Sequence, residues 1–172
     1  MVIWFIGLSG AGKSTLGREV ARQWRMKEPN TVLLDGDELR AVFAQDRSDA
    51  DYTLAGRQLN AQRLTSLCEM LDRQGINVVC CVLSVFTQLR SENRTRFSRY
   101  FEVLLDAPLS VLRQRDTKGL YEAAAKGQQK NVVGVDIPFE RPQGCDLVVD
   151  SSGVLENLET LASDVLRLAR NQ

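Results

Sequence analysis

Residues 7–14 read GLSGAGKS and have the residue types of a phosphate-binding loop. A glycine, four further residues and then Gly-Lys-Ser satisfy the Walker A pattern, and the segment lies between an apolar run and a helix-length run. In such loops the backbone N–H groups surround a phosphate chain, the lysine reaches the β- and γ-phosphates, and the serine hydroxyl ligates Mg²⁺. The sequence therefore predicts a site for ATP and Mg²⁺ that is formed by Gly7, Ser9, Gly10, Ala11, Gly12, Lys13, Ser14 and Thr15.

Two carboxylates, Asp35 and Asp37, directly follow the second apolar run of the chain. Ligands of open α/β sheets bind at the carboxyl ends of the strands, so we expect one of these carboxylates to face the phosphates. The chain has no histidine, which excludes an imidazole base. A hydroxyl proton must then pass to a carboxylate or to the transferred phosphate. Asp37 is the predicted base and, with Ser14, the predicted Mg²⁺ ligand; the alternative is a solvated turn.

The elements that position these groups are predicted from the alternation of apolar runs. Five short runs, rich in β-branched residues, predict buried strands at residues 2–6, 31–34, 76–83, 101–105 and 147–149. Helices are predicted at residues 13–25, about 55–74, 88–98, 109–115 and 155–168. This alternation predicts an α/β fold, a parallel five-stranded sheet with helices on both faces. Residues 44–54 and 116–144 are predicted to be loops or mobile lids.

Length and composition limit the classes of protein that fit. The chain has 172 residues, which predicts a single domain over residues 1–172. Lysine plus arginine equals aspartate plus glutamate at 22 each, so no overall field favours nucleic acid or membrane partners. The longest apolar run, residues 76–86, is shorter than the roughly 18 to 20 residues of a membrane span. With no export signal and four cysteines without CxxC spacing, we expect a cytoplasmic protein with free thiols.

Four segments together resemble the adenylyl-sulfate kinase family: GLSGAGKST, LDGDELR, RDTKGLYEAAAKG and NVVGVDIPFERP. The resemblance extends along nearly the whole chain, and the KGLY and GVDIPFE segments are more specific to the family than the first one. It implies a P-loop NTPase fold with a lid at about residues 115–142. It also implies ATP-dependent phosphorylation of the ribose 3′-hydroxyl of a small-molecule nucleotide, adenylyl sulfate in the family.

Site residues follow from this resemblance position by position. Arg40, Arg57 and Asn60 match family residues that contact the nucleotide acceptor, and arginine suits phosphate or sulfonate oxygens. Tyr52 and Phe139 match the two rings that stack on its base. Lys118 matches the lid cation and is a predicted catalytic residue, together with Lys13 and Asp37. The remaining matches are Asp35, Ser84, Gly119 and Leu120 for the acceptor, and Arg115 for ATP.

The chain departs from the family pattern only in the predicted acceptor half. Gly56 stands where the family carries an acid, and Val85 and Thr87 replace a proline and a cation that follow the third strand. Loss of groups around the acceptor alone suggests a different acceptor with the same phosphoryl chemistry. The segment YTLAGRQLNAQRL resembles a subgroup that acts on cytidine diphosphoramidate in capsule biosynthesis, and this acceptor is the alternative.

Two further classes of function stay open at the level of sequence. One is a regulatory module that keeps the nucleotide site without catalysis, although Lys13, Ser14, Asp37 and Lys118 are all present. The other is a kinase for a small alcohol that is not a nucleotide, which P-loop folds also support. The apolar faces of the helix at residues 55–71 are compatible with either the core or a homodimer interface.

Overall fold

A computed structural model describes residues 1–44, 48–116 and 118–171, and its centre is a five-stranded parallel sheet. The strands are β1 (Val2–Ile6), β2 (Thr31–Asp35), β3 (Asn77–Cys81), β4 (Tyr100–Asp106) and β5 (Leu147–Asp150). Their order is β2-β3-β1-β4-β5. The chain passes from β1 to β2 on one side of the sheet, and from β3 to β4 on the other side of the central strand β1. A crevice therefore opens between these two connections at the carboxyl ends of the strands. The predicted α/β class and parallel sheet are confirmed.

Helices cover both faces of this sheet. They are α1 (Lys13–Lys27), α2 (Gly36–Val42), α3 (Leu54–Arg73), α4 (Thr87–Arg96), α5 (Leu109–Arg115), α6 (Leu120–Ala125) and α7 (Leu158–Arg170), with a 3₁₀ turn at Asp49–Tyr52. On one face, Ile3 and Phe5 of β1 pack with α1 and α7. On the other, Trp4 and Ile6 pack with Leu64 of α3. A strand buried on both faces reads as a continuous apolar run, which is why β1 has no polar residue.

The structure differs from the predicted elements mainly in short helices. The 3₁₀ turn and α6 lie in segments that we predicted to be loops or lids, and α2 lies in a segment to which we assigned no element, because such short helices have too few residues for a clear periodicity. The helix α7 begins at Leu158, three residues later than predicted, and Leu155 before it packs beside Gly12. Part of the predicted loop at 44–54 and one residue of the predicted lid, residues 45–47 and 117, lie outside the described residues.

The cysteines and α3 bear on two further predictions. All four cysteines are free thiols, and burial raises the pKa of Cys81 to about 12. Along α3, Leu64 and Cys68 are in the core, whereas Leu59 and Met70 are exposed. Some apolar residues of α3 are therefore available for an interface, and the homodimer stays a prediction. Within residues 1–44, 48–116 and 118–171, no helix combines the length and the apolar character needed to cross a membrane.

The carboxylate of Asp72 joins three elements at the amino-terminal edge of the sheet. Asp72 lies in the last turn of α3. Its carboxylate accepts a hydrogen bond from the Met1 ammonium group at 2.6 Å and two more from the Ser98 N–H and hydroxyl, both at 2.7 Å. The Asp72 side chain is only 4% exposed. A buried carboxylate with three donors holds the start of β1, the end of α3 and the approach to β4 together.

Replacing Asp72 with alanine should lower the free energy of unfolding by about 3 kcal/mol, because the Met1 ammonium group and both Ser98 donors would lose the charged acceptor that they share. Urea unfolding at neutral pH measures this loss. Asp164→Ala is the control, because Asp164 pairs with Arg167 on the surface of α7 and such pairs contribute about 0.5 kcal/mol or less. Equal losses in the two variants would contradict the anchoring role.

The same carboxylate predicts a pH dependence of stability. Burial by itself would raise the pKa of Asp72, but the hydrogen bonds from the Met1 ammonium and Ser98 outweigh it and the pKa is lowered. The stabilisation is therefore complete above the unfolded-state pKa of about 3.9, and it is lost as the pH falls through the folded-state pKa. The difference in unfolding free energy between the wild type and Asp72→Ala should be constant from neutral pH to about pH 5 and should shrink on further acidification.

Candidate active site

A cavity of about 850 Å³ lies at the carboxyl ends of the strands and brings most of the predicted site residues together. Its size is within the range of small-molecule sites. The predicted residues that line it are Ser9, Gly10, Gly12, Lys13, Ser14, Thr15, Asp35, Asp37, Arg40, Tyr52, Arg57, Asn60, Ser84, Lys118 and Leu120. Residues separated by more than 100 positions in sequence thus surround one space, because the loops after β1, β2 and β3 emerge at the same edge of the sheet.

The phosphate-binding loop connects β1 to α1 through closely packed backbone. A Cβ atom on Gly7 would lie 2.6 Å from the carbonyl oxygen of Leu105, so only glycine fits where the loop passes β4. Gly12 begins α1 with a φ of 95°, a left-handed conformation that glycine adopts without strain. The Lys13 ammonium donates to the Leu8 carbonyl at 2.8 Å, and burial lowers its pKa. The loop therefore holds a cation and a helix N-terminus, the two groups that bind a phosphate chain.

Oxygen ligands suited to Mg²⁺ lie beside this loop. The Ser14 hydroxyl hydrogen-bonds the Asp35 carboxylate, and Asp35 also accepts from the Asp37 N–H at 2.9 Å as the N-cap of α2. Among the described residues, no group of three or more histidine, cysteine, aspartate or glutamate side chains is arranged to hold a metal ion. Mg²⁺ needs no such cage, because it keeps several waters and takes one or two protein oxygens plus phosphate oxygens. Ser14, Asp35 and Asp37 fit that requirement.

Asp37 and Lys118 form an ion pair across the cavity. The Asp37 side chain is 70% exposed, so water and ligands reach it. Its enclosure by the cavity walls would raise the pKa, but the hydrogen bond and charge of Lys118, with the charges of Lys13 and Arg40, lower it. The hydrogen bond to Asp37 raises the pKa of Lys118 in return. Both groups are therefore charged at neutral pH, Asp37 as a carboxylate that can accept a proton.

Two arginines surround the Tyr52 ring. The Arg40 guanidinium lies 5.1 Å from the ring centroid and donates to the Asp51 carbonyl at 3.0 Å. The Arg57 guanidinium lies 5.8 Å from the centroid and donates to the carbonyls of Tyr52 at 2.8 Å and Asn131 at 2.7 Å. Burial, and then the charge of Arg40, lower the pKa of Arg57 to about 10, which still leaves it charged at neutral pH. This side of the cavity is a cationic wall suited to phosphate or sulfonate groups.

The absence of a side chain at Gly56 allows the 3₁₀ turn that carries Tyr52 to pack closely against α3. A Cβ atom on Gly56 would lie 2.6 Å from the carbonyl oxygen of Asp51 and closer still to that of Ala50. The turn that carries Tyr52 therefore packs directly on the backbone at the start of α3. The acid that the family has at this position has no room in this arrangement.

Five predicted site residues do not line the cavity. Phe139 packs beside the core and lines a smaller neighbouring pocket, so the structure does not bring it into the cavity with Tyr52. Arg115 donates to the carbonyls of Ser151, Ser152 and Gly153, which follow β5. Gly7 and Ala11 form the backbone of the phosphate-binding loop, and Gly119 begins α6. Their roles in ligand binding stay predictions.

Other residues line the cavity without having been predicted. They include Trp4, Ala61, Leu64, Thr65, Val82, Leu89, Arg90, Asn93, Gln129 and Lys130. Helical spacing links Ala61, Leu64 and Thr65 to the predicted Asn60, since they lie within the next turns of α3. For Trp4 on β1, and for Arg90 and Asn93 on α4, no local signal was available, because only the sheet order places those elements beside α3.

Similarity to known kinases extends over nearly the whole chain. A family model described as adenylylsulphate kinase matches residues 1–150. A cytidine diphosphoramidate kinase of Campylobacter jejuni is 36% identical over 154 residues, which are 88% of this chain and 86% of that protein. An adenylyl-sulfate kinase of Synechococcus sp. is 37% identical over 148 residues, 86% of this chain and 82% of that protein. The structure of the Mycobacterium tuberculosis APS kinase in complex with AMPPNP and APS has a TM-score of 0.85 at 30% identity, and the match covers 98% of this chain and 96% of that one.

Gly56→Ala should lower the free energy of unfolding by about 1 to 3 kcal/mol, because the added methyl group overlaps the backbone of the 3₁₀ turn. Gly153→Ala is the matched control: nothing lies within 4 Å of its Cβ position, and its φ is not in the left-handed region. That variant should be unchanged or slightly more stable, since alanine restricts the unfolded chain. Urea unfolding curves compare the two, and equal stabilities would contradict the close approach at Gly56.

Proposed function

This chain belongs to the adenylylsulphate kinase family of P-loop kinases, and we propose that it transfers the γ-phosphate of ATP to the ribose 3′-hydroxyl of a nucleotide. The observation that carries the proposal is the shared cavity, in which a phosphate-binding loop, the Asp37–Lys118 pair and the cationic wall at Arg40 and Arg57 face one another. Donor and acceptor sites that open into one space are what a direct phosphoryl transfer requires.

The donor side binds ATP through the phosphate-binding loop. Backbone N–H groups at the start of α1 and the Lys13 ammonium hold the β- and γ-phosphates, and ATP displaces the Leu8 carbonyl as the partner of Lys13. Ser14 and Asp37, with Asp35 hydrogen-bonded to both, would hold Mg²⁺. When bound, the metal ion neutralises the charge that develops on the phosphate oxygens. Arg115, at the end of α5, donates to three carbonyls of the loop after β5 instead of lining the cavity, and we propose that it orders that loop for the ATP base.

The transfer itself is assigned to Asp37 and Lys118. The acceptor 3′-oxygen attacks the γ-phosphorus, the bond from that phosphorus to the β,γ-bridging oxygen breaks, and the hydroxyl proton passes to the Asp37 carboxylate. The lowered pKa of Asp37 keeps it ionised, so it is ready to accept a hydrogen bond from the hydroxyl group. Lys118 exchanges its contact with Asp37 for the transferred phosphate oxygens. A cation in that position stabilises the transition state.

Adenylyl sulfate is the first candidate acceptor, since the chain matches the adenylylsulphate kinase family and several adenylyl-sulfate kinases. Cytidine diphosphoramidate is the second, and one specific observation favours it. The packing of the 3₁₀ turn on Gly56 excludes the acid of the adenylyl-sulfate kinase pattern, and the Campylobacter relative that acts on cytidine diphosphoramidate is 36% identical. Either acceptor would place its anionic groups against Arg40 and Arg57 and its base against the Tyr52 ring.

The lid at about residues 115–142 completes the site in this proposal, within a single domain of residues 1–172. Lys118, Leu120 and Lys130 of that segment already line the cavity. Closure over both nucleotides would bring Gly119 and Phe139 nearer and would exclude water, which suppresses hydrolysis of ATP. The partner is a small-molecule nucleotide. A regulatory module without catalysis would have no need for a paired carboxylate and ammonium between two anion sites.

Asp37→Asn should lower kcat by about 10² to 10⁴, because the amide cannot accept the hydroxyl proton. The measurement is steady-state transfer from Mg²⁺-ATP to adenylyl sulfate and, in parallel, to cytidine diphosphoramidate. Lys126→Ala is the control, since Lys126 pairs with Glu122 on the outer surface of the lid, and its kcat should stay within about twofold of the wild type. A wild-type protein that phosphorylates neither acceptor would overturn the proposed function.

A further inference from the structure

Arg57 joins two segments that border the acceptor side of the cavity. Its Nε atom donates to the Tyr52 carbonyl at 2.8 Å, and Nη2 donates to the Asn131 carbonyl at 2.7 Å. Tyr52 ends the 3₁₀ turn, and Asn131 lies 74 positions from Arg57, in the predicted lid. Nη1 forms no hydrogen bond with the residues that the structure describes. One guanidinium group therefore connects the lid to the turn that carries the Tyr52 ring and keeps one nitrogen for a ligand.

The Asp136 carboxylate holds the lid backbone that contacts Arg57. One of its oxygens accepts a hydrogen bond from the Asn131 N–H, and the other accepts from the Val132 N–H. Asn131 has a φ of 62°, in the left-handed region, where successive N–H groups can form a concave site for an anion. The carboxylate that fills this site comes from the same short segment, residues 131–137, which we call the lid turn.

A single peptide group links Asp136 to Arg57. The Val132 N–H and the Asn131 carbonyl belong to one trans peptide group, so they point in opposite directions. Asp136 binds the N–H end, and Arg57 binds the carbonyl end. Carboxylate, peptide group and guanidinium therefore form one chain of hydrogen bonds, with a negative charge at one end and a positive charge at the other. The members of such a chain polarise and strengthen one another.

The charges of Asp136 and Arg57 act on each other along this chain. Burial by itself would raise the pKa of Asp136, but the hydrogen bonds from the Asn131 and Val132 N–H groups, and then the charge of Arg57, lower it. The charge of Asp136 in turn opposes the fall in the pKa of Arg57. Asp136 is exposed and lines the smaller neighbouring pocket instead of the cavity. Its influence on the cavity therefore passes through Arg57.

The lid turn has a firm base in the protein. Val132, Val133 and Ile137 are buried, with exposed fractions of 1%, 3% and 7%. The Gly134 N–H donates to the Ile137 carbonyl at 2.7 Å and closes the turn. Asp136 therefore projects from a fixed segment, and it sets the orientation of the first peptide group of that segment.

We propose that Asp136 is a positioning residue for the acceptor nucleotide. It orients the Asn131 carbonyl, and that carbonyl holds the Arg57 guanidinium against the Tyr52 turn, with Nη1 available to an anionic group of the acceptor. This inference rests on the proposed function. A guanidinium that is oriented before the acceptor arrives loses less conformational freedom on binding, so the orientation contributes to affinity. Asp136 thus assists binding and takes no part in the phosphoryl transfer.

Asp136→Ala should raise KM for the acceptor by about tenfold and leave kcat and KM for ATP within about twofold of the wild type, because only the orientation of Arg57 is lost. The measurement is steady-state transfer from Mg²⁺-ATP to whichever of the two candidate acceptors the wild type phosphorylates. Asp136→Asn keeps an amide oxygen for one of the two N–H groups, so its KM should be intermediate. Glu122→Ala is the matched control. It removes one carboxylate that pairs with Lys126 on the outer surface of the lid, and it should match the wild type within about twofold.

A double-mutant cycle with Arg57→Ala separates positioning from an independent structural role. If Asp136 acts through Arg57, removing Asp136 as well should raise the acceptor KM by no more than about twofold beyond the value of Arg57→Ala alone. Effects of the two single substitutions that multiply in the double variant would show independent contributions and would overturn the inference.

Hydrogen–deuterium exchange tests the link between the lid and the 3₁₀ turn without turnover. In Asp136→Ala, the backbone amides of residues 49–53 should exchange about tenfold faster than in the wild type, because the contact that Arg57 makes with the Tyr52 carbonyl is loosened. The amides of α7 should exchange at the wild-type rate, which shows that the fold is intact. Unchanged exchange at residues 49–53 would contradict the link.

Failure of the inference can be told apart from failure of the proposed function. If the wild type phosphorylates an acceptor while Asp136→Ala keeps the acceptor KM of Glu122→Ala, Asp136 does not position the acceptor site and the proposed function stands. The same conclusion follows if KM for ATP rises as much as KM for the acceptor, because the effect is then general. Should the wild type phosphorylate neither acceptor, the proposed function fails and the inference fails with it.

Discussion

The carboxylate of Asp35 is the contact on which the arrangement of the site depends. It lies at the end of β2, is 7% exposed, and hydrogen-bonds both the Ser14 hydroxyl of α1 and the Asp37 N–H of α2. One oxygen therefore positions the donor side and the other positions the predicted base. Because a charged acceptor forms short, strong hydrogen bonds in a buried site, the separation between the phosphate-binding loop and Asp37 is set by a single side chain.

Three cations that line the cavity have partners within the protein. Lys118 pairs with Asp37, Lys13 donates to a loop carbonyl, and Arg57 donates to two carbonyls. These contacts limit the cost of holding several cations close together, and anionic nucleotides can replace them without leaving a charge unpaired. The lowered pKa values of Lys13 and Arg57 show how closely the cations are enclosed.

The departures from the family pattern that the sequence analysis names lie in the predicted acceptor half, and the structure places them around one cavity. Gly56 permits the 3₁₀ turn to pack on α3, and that packing places Tyr52 between Arg40 and Arg57. Beyond Ser84, which has a φ of 51°, α4 brings Arg90 and Asn93 into the same cavity. A change of acceptor therefore requires changes in the elements around one cavity and none in the phosphate-binding loop.

The sequence by itself determined the strands, the long helices, the phosphate-binding loop and the candidate base Asp37, because each depends on local periodicity or on a motif of adjacent residues. The resemblance of the sequence to the family supplied the candidate residues Arg40, Arg57 and Lys118. Only the tertiary structure decided which of these groups are partners. The pairing of Asp37 with Lys118 spans 81 positions, and the position of Phe139 outside the cavity depends on core packing. The cavity itself unites residues of β1, α3 and α4. Such contacts follow from the order of strands in the sheet, and no local pattern encodes that order.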